Sequence, residues 1–296
     1  LPFRKSALTS PHGSRASRVS PSRTAGSPLG QLTRRYRDSR VPRAYHRGPL
    51  RLVTYDRGGH RRLGALLEDR VVDLPDLVGH PAYPTTMEHL VVSNGGTVFD
   101  VARAALERGD ADLAVVERAR LLAPLLPTAL RSADADEGVR PVAGPDELIA
   151  WPADAGWLEF RPRIAAILRR PVRDPLGRED VPSVVFGYTL VGDFLTHAGT
   201  GDPAPTTAGA PLALGPCVVT PDELDPQTTY VTVRVDGREW AKGNLNGTAR
   251  ALLTDVAAAS TQERLAAGEA FASGPFELDR FDQRLWPGAA VEVDAE

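Results

Sequence analysis

Scarcity of several residue types sets the first limits on this chain. Cys217 is the only cysteine among 296 residues, so an internal disulfide framework is excluded, and a reducing, cytoplasmic setting is the expectation. Lysine occurs only as Lys5 and Lys242, so any chemistry that needs an amine beyond the first residues has Lys242 alone to draw on. No stretch approaches the roughly 20 apolar residues of a membrane-spanning helix, and no membrane partner is expected. Acidic residues are nearly missing from positions 1–48, where Asp38 stands against 11 basic ones. The other 24 basic and 37 acidic residues leave the rest of the chain at −13, although the total is only −3.

Residues 1–48 are rich in Ser, Pro and Gly and keep no apolar period, which predicts a disordered basic tail. Three readings of it stand open: a polybasic arm for nucleic acid or anionic surfaces, an Arg- and Ser-rich targeting peptide, or an extension from an upstream start. Only Phe3, Tyr36 and Tyr45 could stack on bases there. With an acidic body that repels polyanions, nucleic acid is not an expected partner.

What is present is enough apolar residue, 42%, for one substantial core with a smaller unit attached. Alternation predicts strands at 50–55, 62–67 and 71–74, with Gly58-Gly59 as the first turn. Helical spacing of Val98, Val101, Ala102, Ala105 and Leu106 predicts a helix capped by Thr97 and stopped by Gly109. A shorter helix is expected over 86–93. Past about residue 127 the pattern changes to short β-rich runs at 163–168, 184–190, 217–220, 229–235 and 290–294, interrupted by one helix over 248–259. Asp236-Gly237 marks a tight hairpin turn. The domain reading is thus a tail over 1–48, a small α/β unit over 49–127 and a β-rich unit over 128–296, an α+β chain.

Three segments in the second half carry a family resemblance. They are Trp157-Leu158-Glu159-Phe160-Arg161-Pro162-Arg163-Ile164-Ala165-Ala166-Ile167-Leu168, Phe186-Gly187-Tyr188-Thr189-Leu190-Val191-Gly192-Asp193 and Leu214-Gly215-Pro216-Cys217-Val218-Val219-Thr220-Pro221-Asp222-Glu223-Leu224. With the hairpin over 233–245 and the closing segment over 285–293, they resemble the fumarylacetoacetate hydrolase superfamily across about residues 50–296. The resemblance implies a mixed β-roll for the C-terminal domain, a homodimer, and in active members a divalent cation held by a Glu-x-Glu pair and an Asp.

In this chain the paired acidic positions fall on Arg161 and Arg163, and the third on Asp193. Shifting the alignment one step would pair Glu159 with Arg161, leaving Glu159, Asp193 and waters as residual ligands. The family's lysine falls near Thr206, its arginine after the metal aspartate on His197, and its Ser-Gly-Thr turn on Ala272-Ser273-Gly274-Pro275. No histidine occurs over 128–142 to supply the family's glutamate-histidine pair. The expectation is therefore no metal and no other cofactor, in a site whose charge has changed sign.

Two guanidinium forks on one strand face suit a carboxylate or enolate without a metal. One reading gives Arg161, Arg163, Glu159 and Tyr188 to binding a small anionic oxo acid or dicarbonyl ligand, with Asp193 or His197 moving a proton. The other gives the arginines to solvent, or to ion pairs with Asp193 and Glu159 that replace the lost ion in a catalytically silent subunit. Tyr188 and Trp157 also read as core, His197 as a surface or packing residue, and Lys242 as exposed on its hairpin. Pro162 removes a ladder donor, which predicts an irregular or edge strand.

Overall fold

The structure, a computed structural model, describes residues 6–9, 50–67, 69–93, 96–108, 112, 114–132, 140–198, 211–276, 278 and 284–296. Within the expected tail only β1 (Ser6–Thr9) falls among them; the remainder of that expectation lies outside the described residues. Next come β2 (Arg51–Arg57), β3 (His60–Leu67), β4 (Arg70–Asp73), α1 (Leu74–Val78), α2 (Met87–Val92) and α3 (Gly96–Glu107). The short strands β5 (Val115–Val116), β6 (Leu121–Leu122), β7 (Leu130–Ser132), β8 (Val142–Ala143) and β9 (Ile149–Ala150) lead to two 14-residue strands, β10 (Ala155–Leu168) and β11 (Val185–Ala198). The chain then runs through β12 (Leu212–Val219), β13 (Tyr230–Val235), β14 (Arg238–Asn244), α4 (Asn246–Gln262), β15 (Ala270–Ala272), β16 (Arg284–Leu285) and β17 (Ala290–Ala295).

Local chemistry accounts for several of these limits. Leu74, expected at the end of a strand, opens α1 instead, because the Asp73 carboxylate accepts the Asp76 N–H at 2.7 Å and Pro75 suits a first turn. Thr86 caps α2 in the same way, accepting from His89 N–H. The turn after β13 places Asp236 at φ 51° and Gly237 at φ 75°, the left-handed pair that a two-residue hairpin requires.

The larger sheet has the order β5-β4-β3-β2-β12-β11-β10-β15-β7, and the smaller β14-β13-β17-β1-β9. First-half strands enter the larger sheet through β2, which pairs Leu52 with Val218 and Arg51 with Val219 on β12. Period-two alternation then divides β10 between two environments. Its even positions, Leu158, Phe160, Ile164, Ala166 and Leu168, pack with Val231 and Val233 of β13, Val291 and Val293 of β17, and Leu252 and Val256 of α4. Among its odd positions, Ile167 packs with Leu52, Leu63 and Leu90, and Ala165 with Ala123, Val191 and Leu214. With each buried aliphatic side chain contributing roughly 1.5–3 kcal/mol, both faces of β10 and β11 are fixed in register.

Both central strands are far longer than the short runs expected, and β10 accommodates Pro162 in its interior. Pro162 O accepts from Phe276 N on the side away from β11, so its ring nitrogen also points where β10 has no ladder partner. The proline therefore sits between β15 and β16, each of which covers a different part of β10.

Gly187 lets β11 pass β12 at close range: a Cβ there would stand 2.5 Å from Val218 Cγ1 and 2.7 Å from the carbonyl oxygen of Val219. Because that oxygen belongs to the ladder and cannot yield, Gly187→Ala is expected to lower stability by about 1–3 kcal/mol in urea denaturation. An unchanged midpoint would show that the strands can separate freely here.

Candidate functional site

Arg161 lies opposite Asp193, and Trp157 opposite His197, in the antiparallel pairing of β10 with β11. Odd-numbered residues of both strands therefore share one face, which gathers Trp157, Glu159, Arg161, Arg163, Asp193 and His197. That face divides into a closed end and an open end.

At the closed end Arg163 is 2% exposed and Asp193 3%. Arg163 donates to Asp193 Oδ2 from Nε at 3.0 Å, with Nη2 at 2.8 Å, and its Nη1 donates to the carbonyl of Ser273 at 2.9 Å and to Ser132 Oγ at 3.2 Å. The other carboxylate oxygen, Asp193 Oδ1, accepts from Arg140 Nη1 at 2.6 Å, while Arg140 Nη2 donates to the Phe194 carbonyl at 2.7 Å. Each oxygen of Asp193 is thus held by its own guanidinium. Ser273 supports the arrangement, since its Oγ accepts from Ile164 N–H at 3.2 Å and donates to the Gly274 carbonyl at 2.7 Å.

At the open end Glu159 joins two groups. Its Oε1 accepts from Arg161 Nε at 2.5 Å, and its Oε2 lies 2.7 Å from His197 Nε2. Burial acts to raise the Glu159 pKa, but the hydrogen bonds from Arg161 and His197 outweigh it and hold the carboxyl below its ordinary value, hence ionised at neutral pH. The His197 ring stacks on Trp157 with centroids 3.5 Å apart, and the Arg284 guanidinium lies 4.9 Å from the centroid of the Trp157 ring. Trp157 is accordingly half-buried against His197, not a core residue as one reading held. The Arg161 side chain is 23% exposed, and its terminal nitrogens make no hydrogen bond to a described residue.

The ion-paired members, Arg140, Arg161 and Arg163 against Asp193 and Glu159, sum to +1, the sign expected from Arg161, Arg163 and Asp193 alone, because Arg140 and Glu159 cancel, and Arg284 over Trp157 adds to it. Arg140 is the member that sequence reasoning missed. It follows a segment containing Asp134, Asp136 and Glu137, and no spacing rule ties it to β11. Ser132 was likewise without a signal.

Tyr188 is not brought to this face. It pairs with Ala166, an even position, is 5% exposed within the core, and lines a cavity of about 210 Å³ on the other side of the sheet. Lys242 is exposed on the β13–β14 hairpin beside Glu239, as expected. The position matched to the family's lysine, Thr206, lies outside the described residues.

Residues 138–296, more than half of the chain, match the C-terminal domain of fumarylacetoacetate (FAA) hydrolase. The chain belongs to the fumarylacetoacetate hydrolase family. None of the curated proteins matches it. Among solved structures, this member of the family is similar to fumarylacetoacetate hydrolase from the psychrophile Exiguobacterium antarcticum, at 21% identity and a TM-score of 0.62 over 83% of this chain and 95% of that one. Maleylpyruvate hydrolase from Sphingobium sp. SYK-6 follows at 22% and 0.61, over 83% and 95%. The 5-carboxymethyl-2-hydroxymuconate delta-isomerase from Mycobacterium smegmatis stands at 19% and 0.54 with the same coverage. Likeness at these identities establishes the fold.

A divalent ion in the family's manner does not fit the residues present. Hard cations such as Mg²⁺ take about six oxygen ligands, whereas among the described residues no group of three or more His, Cys, Asp or Glu side chains converges. The two carboxylates on this face already accept from guanidinium groups, and Arg163 fills the space before Asp193 with positive charge.

Removing one partner of a buried, hydrogen-bonded ion pair strands the other. Asp193→Asn is expected to cost about 3–5 kcal/mol in chemical denaturation, while Arg161→Ala, which leaves the buried Glu159 its contact with His197, costs less, about 1–2 kcal/mol. Equal losses at the two positions would contradict the division into closed and open ends.

Proposed function

We propose that this family member is a metal-independent enzyme acting on a small oxo acid or 1,3-dicarbonyl anion. The observation that carries the reading is the fork of Arg161, unpaired among the described residues, beside a histidine oriented by the same carboxylate, Glu159. Carbon-carbon cleavage, decarboxylation, tautomerisation and cyclisation of such compounds share an enolate, which needs an anion anchor and a group that moves a proton.

Arg161 supplies the anchor, since a planar guanidinium whose two terminal nitrogens bond no described residue can grip a carboxylate without a metal. Donation of His197 Nε2–H to Glu159 leaves Nδ1 as the base. His197 takes the proton from the carbon beside the carbonyl, the electron pair moves onto the carbonyl oxygen, and the guanidinium stabilises that oxygen as it gains charge. Returning the proton to another carbon or to oxygen completes a tautomerisation. Asp193, first considered as a proton carrier, is held on both oxygens by Arg163 and Arg140, so the proton-moving role falls to His197. Arg163 acts through position, by keeping β10 and β11 in register beneath the anchor. A homodimer in the cytoplasm completes the proposal, and the family resemblance alone supports it.

The closed end favours a second reading, a catalytically silent ligand-binding subunit in which ion pairs took over the structural part of the ion's work. One experiment separates the two: deuterium exchange into the carbon-bound hydrogens of pyruvate and oxaloacetate, followed by NMR with EDTA present. The proposal expects enzyme-dependent exchange, Arg161→Ala weakening binding by roughly 10- to 100-fold, and His197→Gln slowing exchange by about 10²-fold or more with binding retained. Binding that depends on Arg161 without exchange supports the silent reading. Exchange indifferent to both substitutions overturns the proposal.

A further inference from the structure

Along the edge of β11 opposite β10, the pairing with β12 opens. Tyr188 pairs with Val219 and Leu190 with Gly215, so Thr189 alone faces the three residues between Gly215 and Val219. This bulge cannot close, because Pro216 has no N–H to offer and Gly215 stands at φ 132° with prolines 145 and 124 against it. Beside it lies the cavity of about 210 Å³, walled by Ile164, Leu190 and Leu245 with Tyr188 at its edge.

One polar group lining the cavity has no partner among the described residues: the Tyr188 hydroxyl makes no hydrogen bond to any of them although Tyr188 is 5% exposed. The charges at the border do not favour an ionic ligand, since Arg51 stands there against Glu223 and Glu296, and Glu223 already accepts from Arg103 at 2.8 Å.

We propose that this cavity is a second ligand site, taking a neutral monocyclic aromatic compound whose single hydroxyl pairs with Tyr188. The size supports this choice: a dry cavity of about 150 Å³ is enough to hold benzene, so the space here admits a ring with one or two substituents. Burial, with the charge of Asp225 adding to it, pushes the Tyr188 phenol above its ordinary value, so it meets the ligand as a neutral donor and acceptor. The oxo-acid site on the other face plays no part in this recognition, and either proposal can fail alone.

The test is methyl NMR titration of the intact protein with phenol, benzene and benzoate, observing Ile164, Leu190 and Leu245. Phenol is expected to shift these signals saturably and to bind about two- to tenfold more tightly than benzene, the margin of one net hydrogen bond, with benzoate weakest. Tyr188→Phe, which keeps the ring and the packing, is expected to reduce phenol to the level of benzene and leave benzene unchanged. No shift at these methyls with any probe overturns the proposal, and so does tightest binding by benzoate or a preference for phenol that survives Tyr188→Phe.

Discussion

Asp193, gripped from two sides by Arg163 and Arg140 in the interior of a sheet, is the contact on which the other features of the site depend. A carboxylate 3% exposed in the middle of a strand is unfavourable by itself, and so is a guanidinium 2% exposed. Together they are stable only because nearly every donor finds an acceptor, including the carbonyls of Ser273 and Phe194 and the hydroxyl of Ser132. These acceptors come from β7, β11 and the segment after β15, so the ion pair ties together elements remote in sequence. Net stabilisation from such a cluster is small. Its larger effect is specificity, since a one-residue slip of β10 on β11 would leave buried charges unpaired.

The same alternation that buries Arg163 puts Arg161 two residues along the strand, where its side chain is 23% exposed, with the buried Glu159 two residues further. Among the described residues, charge is therefore graded along one face, from fully paired at Arg163 and Asp193 to partly unpaired at Arg161. A ligand carrying negative charge would meet the fork of Arg161 and not the closed pair beneath it. The even-numbered face of the same strands is apolar and packs on the smaller sheet and α4, which separates the two environments by the thickness of one backbone.

Much of this was legible in the sequence where one rule acted locally. The strands at 51–57 and 60–67, the short helix within 86–93 and the Asp236-Gly237 turn follow from alternation, helical spacing and left-handed backbone, whereas Thr97, expected as a cap, falls inside α3. The family resemblance drew attention to Arg161, Arg163 and Asp193, and the strand pairing puts all three on one face. The length of β10 and β11 was not legible: Pro162 and the polar run 157–163 interrupt the apolar pattern, and only pairing across the sheet shows why both are tolerated. Arg140 was invisible for a related reason, because its partner Asp193 lies 53 residues away and no period links them. Tyr188 was misleading in the opposite way, since adjacency to the site in sequence says nothing about which face a strand residue takes.

The central claim, that guanidinium groups and not a divalent ion hold Asp193, is tested most directly by thermal unfolding of the EDTA-treated protein with and without excess Mn²⁺. Ligand that binds the folded state alone raises the midpoint as its concentration passes the dissociation constant. The account predicts superimposable unfolding curves in EDTA and in Mn²⁺. A saturable rise in the midpoint with Mn²⁺, reversed by EDTA and lost in Asp193→Asn, would contradict it.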